Sequence, residues 1–206
     1  VERSRGLGDV YKRQPVPPGF TITTEVCNYF TENKKLPNNL HNETKKAVNN
    51  LESISDKRFG GAGTPLLLSV RSGGKVSMPG MMDSVLNIGL NDSNVSQLTK
   101  AFNDERFALD SYRRLIQMYS NVVLGVEHER FEAVLANKKR MDNIDSDADF
   151  NVDQLNWIIN AFKNTVERFT ASLFPQEPYE QLTGAIEAVF NSWQNKRAIT
   201  YRKINN

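Results

Sequence analysis

The sequence of 206 residues has few of the side chains that usually form a cross-link or a metal centre. It contains one cysteine, Cys27, and two histidines, His41 and His128. A single cysteine excludes a disulfide within the chain and fits a reducing compartment, so we expect a cytoplasmic protein. No second metal ligand lies near His41 in the sequence, and we expect both histidines to lie at the surface.

A strong net charge and long apolar runs are also missing. The 26 lysines and arginines balance 24 acidic residues, and a net charge of +2 does not favour a nucleic-acid-binding surface. No run reaches the roughly 18 apolar residues of a membrane helix, and the N-terminus lacks a secretory apolar core. With 39% hydrophobic and 24% charged residues the composition is typical of a globular protein. We therefore expect neither nucleic acid nor a membrane as a partner.

The most informative stretch runs from residue 66 to residue 90. The apolar segment 66–70 predicts a buried strand, and the alternating apolar residues of 86–90 predict a half-buried return strand. The loop between them is rich in glycine and serine and carries Arg71 and Lys75. Backbone N–H groups approach an anion best where no Cβ intervenes, and arginine binds phosphate oxygens with two hydrogen bonds. The loop is therefore a candidate phosphate site.

A simpler interpretation of this loop remains open from the pattern alone. A Gly-Gly pair between two strands usually forms a turn, and an arginine at a strand end is usually solvated. Established phosphate motifs do not match, because neither Ser nor Thr follows Lys75, and Ser69 stands where a P-loop needs glycine. The glycines of 60–63 precede a strand, whereas a dinucleotide fingerprint follows one. The local pattern therefore favours a turn.

Longer stretches of the sequence favour a phosphate site over a simple turn. They are residues 15–24, 69–73, 76–83, 85–91, 110–118, 188–193 and 197–202. Together, and in this order over residues 15–206, they resemble the pyruvate, phosphate dikinase family. Phosphoenolpyruvate synthases share the Val-Arg-Ser core, but they usually have a Phe-Ala-Gly-Gln type loop where this chain has Met-Pro-Gly-Met at 78–81. The loop favours the phosphate-using enzyme, and a phosphoenolpyruvate synthase-like dikinase is the alternative.

The resemblance implies an activity and its partners. Members of this family interconvert ATP, phosphate and pyruvate with AMP, pyrophosphate and phosphoenolpyruvate through a phosphohistidine on a swivelling domain. The implied ligands are ATP and Mg²⁺, and the implied partners are the nucleotide, that swivelling domain and a second copy in a homodimer. The metal ligands and the phosphohistidine are expected downstream of this chain. We therefore expect the chain alone to bind ATP weakly and to be inactive.

The resemblance also assigns residues to the nucleotide site. Arg71 is the leading candidate for a phosphate contact and for catalysis, and Arg114 matches a position implicated in phosphate handling. The alternative for Arg114 is a surface ion pair with Asp110, worth about 0.3–0.5 kcal/mol. The remaining candidates for nucleotide binding are Gly73, Gly74, Ser77, Met78, Gly80 and Arg197.

The expected fold class is α+β, an ATP-grasp-like fragment with a small sheet and a mainly helical inserted subdomain. Residues 1–14 do not match the resembling family, which has there a glycine-rich segment whose lysine contacts ATP, and we interpret them as a foreign or artefactual lead-in. Residues 15–90 and 175–206 would form the nucleotide-binding part. Residues 91–174 would form the helical subdomain, which could alternatively be a non-catalytic interaction module.

Apolar spacing predicts the main helices of this subdomain. A helix at about 105–124 would bury Phe107, Ser111, Leu115, Met118 and Val122, with Arg113 and Arg114 off that stripe. A later helix carries a stripe from Leu155 to Leu173. The acidic stretch 142–153 resembles a calcium loop, but Phe150 and Asn156 stand where glycine and glutamate are required. We therefore interpret that stretch as a solvated linker.

Overall fold

The computed structural model describes residues 17–73 and 82–205. The chain divides into two compact units, Val1–Phe59 and Gly60–Asn206. Within the described residues lie eight α-helices, one 3-10 turn and two strands. The fold is therefore mostly helical with a small antiparallel sheet, which confirms the predicted α+β class in this coarser form. The subdomain boundaries at 91 and 174 stay a prediction.

The described part of the first unit contains two helices. Helix α1 covers Thr24–Asn33, and α2 covers Leu40–Ser55. Each is followed by a residue in the left-handed conformation, which ends the helix: Lys34 has φ of 55° and Asp56 has φ of 52°. The side chains that α2 buries recur every three or four residues, so this helix has one apolar face. They are Leu40, Thr44, Val48 and Leu51.

A two-stranded antiparallel ribbon forms the sheet of the second unit. Strand β1 covers Leu68–Arg71, and β2 covers Ser84–Ile88. The predicted strand at 66–70 thus exists, but its side chains are half-buried or exposed rather than buried. The predicted return strand at 86–90 begins two residues earlier, at Ser84. Arg71 and Ser84 are partners in register at the end of the ribbon where β1 ends and β2 begins.

An irregularity in β2 explains why its apolar residues do not alternate. Leu68 lies opposite Ile88 and Val70 opposite Val85, so two steps on β1 correspond to three on β2. Such an extra residue is a β-bulge. Val85 and Ile88 are fully buried, and Asn87 between them has φ of 60°, a left-handed conformation that asparagine tolerates. The alternation predicted for 86–90 is therefore wrong.

The second unit contains six helices in addition to the ribbon. They are α3 (Val95–Phe102), α4 (Glu105–Val122), α5 (His128–Asp142), α6 (Val152–Thr170), α7 (Pro178–Ser192) and α8 (Lys196–Asn205), with a 3-10 turn at Asp147–Asp149. Helix α4 packs against α3, α6 and β2, and α7 packs against both strands. None of the helices in the described part of the chain is both long and apolar enough to cross a bilayer.

Helix α4 is buried over more of its circumference than the predicted stripe allows. Ser111 and Leu115 are buried as expected, but Phe107 is 43% exposed and its ring lies 5.1 Å from that of Phe102. Arg113, predicted off the stripe, is 3% exposed. Because β2 covers one side of α4 and α6 covers another, a single stripe does not describe its buried surface.

The acidic stretch between α5 and α6 is mostly exposed, as its interpretation as a solvated linker predicts, but it is also anchored to the core. Phe150 is fully buried, and its carbonyl oxygen accepts a hydrogen bond of 2.9 Å from Arg106 Nε. Lys139 pairs with Asp147 at 2.9 Å, which attaches the turn to α5. An aromatic anchor and a tertiary arginine contact therefore order a segment whose composition is mainly polar.

Candidate functional site

Arg71 lies at the end of the ribbon, as the sequence predicted. It is the last residue of β1, its partner in register is Ser84, and it is exposed. Along β1 the half-buried Leu68 and Val70 alternate with the exposed Ser69 and Arg71. Because alternate residues of a strand point to opposite faces, Arg71 lies on the solvent side of the ribbon.

Arg197 is brought to the same end of the ribbon. Its Nη2 lies 3.7 Å from Oδ1 of Asp83, the residue directly before β2, and its side chain is 63% exposed. Asp83 is held from two sides: its backbone N–H donates to Ser192 Oγ at 3.3 Å, and Asn195 Nδ2 donates to its Oδ2 at 3.3 Å. These contacts fasten the junction of α7 and α8 to the start of β2. Arg71 and Arg197 thus lie on neighbouring segments of one ribbon end.

Arg114 lies on the side of α4 that contacts β2. Asn87 Nδ2 donates to the Ser111 carbonyl at 3.4 Å, and the Leu86 N–H contacts Met118 Sδ at 3.3 Å. Arg114 follows Ser111 by three residues and precedes Met118 by four, so all three share one side of the helix. Its side chain is 63% exposed. A third arginine therefore borders the ribbon from the neighbouring helix.

The ion pair predicted for Arg114 is present, but its carboxylate is shared. Arg114 Nε lies 2.8 Å from Asp110 Oδ2, while the buried Arg113 donates to Asp110 Oδ1 from Nε at 2.9 Å and from Nη2 at 2.7 Å. Arg113 had no predicted role in this ion pair. The i,i+3 spacing from Asp110 to Arg113 could have suggested it, since residues so spaced are neighbours on a helix.

Glycine is not sterically required at position 73 in the described structure. A Cβ added to Gly73 meets no atom within 4 Å, and its backbone lies outside the left-handed region. The described neighbours therefore give no steric reason for a glycine here, and its role in nucleotide binding stays a prediction. The remaining loop candidates, Gly74, Ser77, Met78 and Gly80, lie outside the described residues.

The opposite end of the ribbon is held by a buried glutamine that sequence reasoning did not identify. Gln181 on α7 is fully buried, and its Oε1 accepts from Gly89 N–H at 2.9 Å. Its Nε2 donates to the carbonyl oxygens of Leu90 at 3.0 Å and Pro175 at 2.8 Å. Asn94 adds a bond of 2.7 Å to the Gly89 carbonyl. Polar side chains from two segments thus pair the backbone where β2 ends.

Two buried tyrosines on α4 support the packing behind the ribbon. Burial raises the pKa of the Tyr112 hydroxyl, which donates to Asp92 at 2.9 Å and accepts from Gln176 at 3.3 Å. Burial, together with the carboxylates of Glu180 and Glu187, also raises the pKa of Tyr119. Both rings therefore remain neutral and packed near neutral pH.

Comparisons with known proteins identify relatives of this chain. Residues 50–206 match the family model described as "Pyruvate phosphate dikinase, AMP/ATP-binding domain". A pyruvate, phosphate dikinase from Rickettsia conorii is 49% identical over 206 residues, covering 99% of this chain and 23% of the relative. The Clostridium symbiosum protein of that name is 45% identical over 193 residues, covering 93% of this chain and 22% of the relative.

The chain spans less than a quarter of the length of these relatives. The Entamoeba histolytica protein of the same name shows the same proportion, with 46% identity over 92% of this chain and 22% of its own length. The matched range, residues 50–206, includes the ribbon and the positions of all three arginines. The chain therefore belongs to the pyruvate phosphate dikinase family, whose AMP/ATP-binding domain it represents in part.

Proposed function

We propose that Arg71 and Arg197 at the described end of the ribbon, together with Arg114 on the neighbouring helix, bind the phosphate groups of ATP. The observation that carries this proposal is that Arg71 and Arg197 lie at one end of the ribbon, while the part of α4 that carries Arg114 packs on the middle of β2. Arg71 ends β1, Arg197 contacts the residue before β2, and Arg114 borders β2 from α4. All three belong to exposed positions, where a ligand from solvent can reach them.

The chemistry proposed for these residues is positioning and charge neutralisation. Phosphoryl transfer requires little covalent participation by the protein, and its catalysis depends mainly on holding phosphates and stabilising charge. A planar guanidinium suits this role because it donates two parallel hydrogen bonds to phosphate oxygens. Arg71 would make the principal phosphate contact and take part in catalysis. Arg114 would assist it, and Arg197 would contribute to nucleotide binding.

The Mg²⁺ implied by the resemblance has no cluster of protein ligands in the described part of the chain. Among residues 17–73 and 82–205 no group of three or more carboxylate, histidine or cysteine side chains is arranged to hold a metal ion. Mg²⁺ is usually bound by one or two carboxylates together with substrate phosphates, and we expect its protein ligands downstream of this chain. The positive charge at the ribbon end comes from the arginines.

The proposal extends to the longer protein of which such a domain is part. In it, an ATP-grasp-like nucleotide domain would phosphorylate a histidine on a swivelling domain, and the products from ATP, phosphate and pyruvate would be AMP, pyrophosphate and phosphoenolpyruvate. A cytoplasmic homodimer is the expected form. The support is the family match and the similarity to pyruvate, phosphate dikinases over 92–99% of this chain.

The alternative of a non-catalytic interaction module receives less support from the packing. Most of the stripe on α6 is buried within the second unit, including Leu155, Ile158, Phe162 and Val166. Two other members of the predicted stripe are exposed: Phe169 is 44% exposed, and Leu173, which lies beyond the end of α6, is 73% exposed. Core packing accounts for the buried part of the stripe without a partner protein.

An arginine replacement tests the proposal directly. In a full-length version carrying this chain, Arg71→Ala is expected to weaken Mg-ATP binding by about 1.5–3 kcal/mol, or roughly tenfold to 150-fold. Calorimetric titration with Mg-ATP measures this change, and the rate of AMP formation from ATP measures its effect on turnover. Arg140→Ala, at another exposed arginine on α5, is the matched control and is expected to change neither. Unchanged affinity and rate in Arg71→Ala would refute the role of Arg71.

A further inference from the structure

A buried arginine on α4 is paired with the carboxylate that also binds Arg114. The Arg113 side chain is 4% exposed, and it directs Nε and Nη2 to Asp110 Oδ1 at 2.9 and 2.7 Å. A guanidinium in such a position is costly unless a carboxylate pairs with it. Asp110 is therefore the counterion of a buried charge, which restricts the positions its carboxylate can adopt.

The network continues from Arg113 to the next helix. Arg113 Nη1 donates to Gln117 Oε1 at 3.0 Å, and Gln117 Nε2 donates to Glu132 Oε1 on α5 at 2.7 Å. Because these bonds occupy both ends of the guanidinium, they fix its plane relative to two packed helices. The orientation of the Asp110 carboxylate is thus set by tertiary structure rather than by α4 alone.

Arg114 meets this carboxylate with one edge of its guanidinium. Its Nε lies 2.8 Å from Asp110 Oδ2, and its terminal amino groups have no hydrogen-bond partner among the described residues. An isolated i,i+4 pair at the surface holds a long side chain only weakly. Here the acceptor is itself held by a buried arginine, so the Arg114 guanidinium has a defined anchor and two free donors.

We propose that Asp110 and Arg113 are positioning residues that orient Arg114 toward the phosphate groups of the nucleotide. This inference rests on the proposed role of Arg114 in phosphate binding. Fixing Nε reduces the side-chain freedom that Arg114 loses when its terminal amino groups bind two phosphate oxygens. Loosening the carboxylate would therefore weaken the contribution of Arg114 to ATP use while its charge is retained.

A double-mutant cycle separates positioning from a purely structural role, because coupling appears only where two residues act together. The variants are Asp110→Asn, Arg114→Ala and their combination, made in a full-length version carrying this chain. We expect Arg114→Ala to lower kcat/KM for ATP by about tenfold or more and Asp110→Asn to lower it by roughly three- to tenfold. The combined variant should be no slower than Arg114→Ala alone, and the KM values for phosphate and pyruvate should not change.

A second pair of substitutions covers the case in which Asp110→Asn does not fold, since it leaves Arg113 without its counterion. Asp110→Leu combined with Arg113→Met removes both charges, a replacement that cores often tolerate. It should lower kcat/KM for ATP as Asp110→Asn does, and only when Arg114 is present. Arg130→Ala is the matched control for Arg114→Ala, because Arg130 also forms an ion pair on a helix, with Glu127 at 2.6 Å. It should leave kcat/KM for ATP unchanged.

Each outcome of the cycle has a separate meaning. If the loss caused by Asp110→Asn or by the Leu/Met pair is equally large in the Arg114→Ala background, the two residues act through the fold and the inference is overturned. If Arg114→Ala itself has no effect, the inference also fails. In that case the proposed ATP site survives provided that Arg71→Ala still weakens nucleotide binding.

Discussion

Replacing Gln181 by leucine tests whether one buried amide holds the ribbon to α7. The substitution leaves the Gly89 N–H and the Leu90 carbonyl without their bonds of 2.9 and 3.0 Å, and both residues are buried. Each buried group left unpaired costs about 1–3 kcal/mol. Because leucine adds apolar burial that offsets part of this cost, we expect a net destabilisation of about 2–4 kcal/mol. Pro175 is half-buried, so water can replace its lost bond.

Urea unfolding followed by tryptophan fluorescence measures this change in the second unit. Both tryptophans of the chain, Trp157 and Trp193, lie in that unit and report its unfolding. We expect a lower urea midpoint with an unchanged slope, because the surface exposed on unfolding stays the same. A loss of about 2–4 kcal/mol is a large part of the 5–15 kcal/mol that holds a typical domain.

The control for this experiment makes the same substitution at the surface. Gln194 is exposed and lies just beyond the end of α7, so Gln194→Leu should shift stability by no more than about 0.5 kcal/mol. If Gln181→Leu and Gln194→Leu shift the midpoint equally, the hydrogen bonds of Gln181 do not stabilise the fold. The proposal that Gln181 holds the ribbon to α7 would then be wrong.

Two further predictions concern the contact between α4 and α7. A Cβ at Gly184 would overlap the Tyr119 hydroxyl and lie 3.0 Å from Val123 Cγ1. Gly184→Ala should therefore destabilise the second unit by about 1–3 kcal/mol in the same urea assay. An unchanged midpoint would show that the two helices can move apart at no cost in stability. The pKa values of Tyr112 and Tyr119 are raised in the folded protein, so just above the ordinary tyrosine pKa of about 10 these residues ionise only in the unfolded state. The free energy of unfolding should therefore be unaffected below that pH and should fall as the pH rises above it. Tyrosinate absorbance should therefore appear for these two residues together with the loss of helical circular dichroism, and gradual ionisation in the folded protein would contradict their burial.

The sequence by itself determined the features that depend on neighbours along the chain. An apolar run, a small-residue loop and a second apolar run are enough to predict a strand, a connection and a return strand, with Arg71 at the end of the first. The ion pair between Arg114 and Asp110 followed from helical spacing in the same way. The resemblance carried by longer stretches identified the family, because matches spread over 192 positions, from residue 15 to residue 206, are far more specific than any loop motif.

Only the tertiary structure decided the features that depend on distant partners. The bulge at Asn87, the burial of Arg113 and the fully buried Phe150 are each set by packing against other elements. Gln181 is the clearest case, since it pairs with Gly89, a residue 92 positions earlier in the chain. A local sequence pattern indicates whether a side chain prefers burial or exposure. Which residue it contacts depends on how the helices pack. The approach of Arg197 to the ribbon end has the same origin, because the α7–α8 junction must first dock on Asp83.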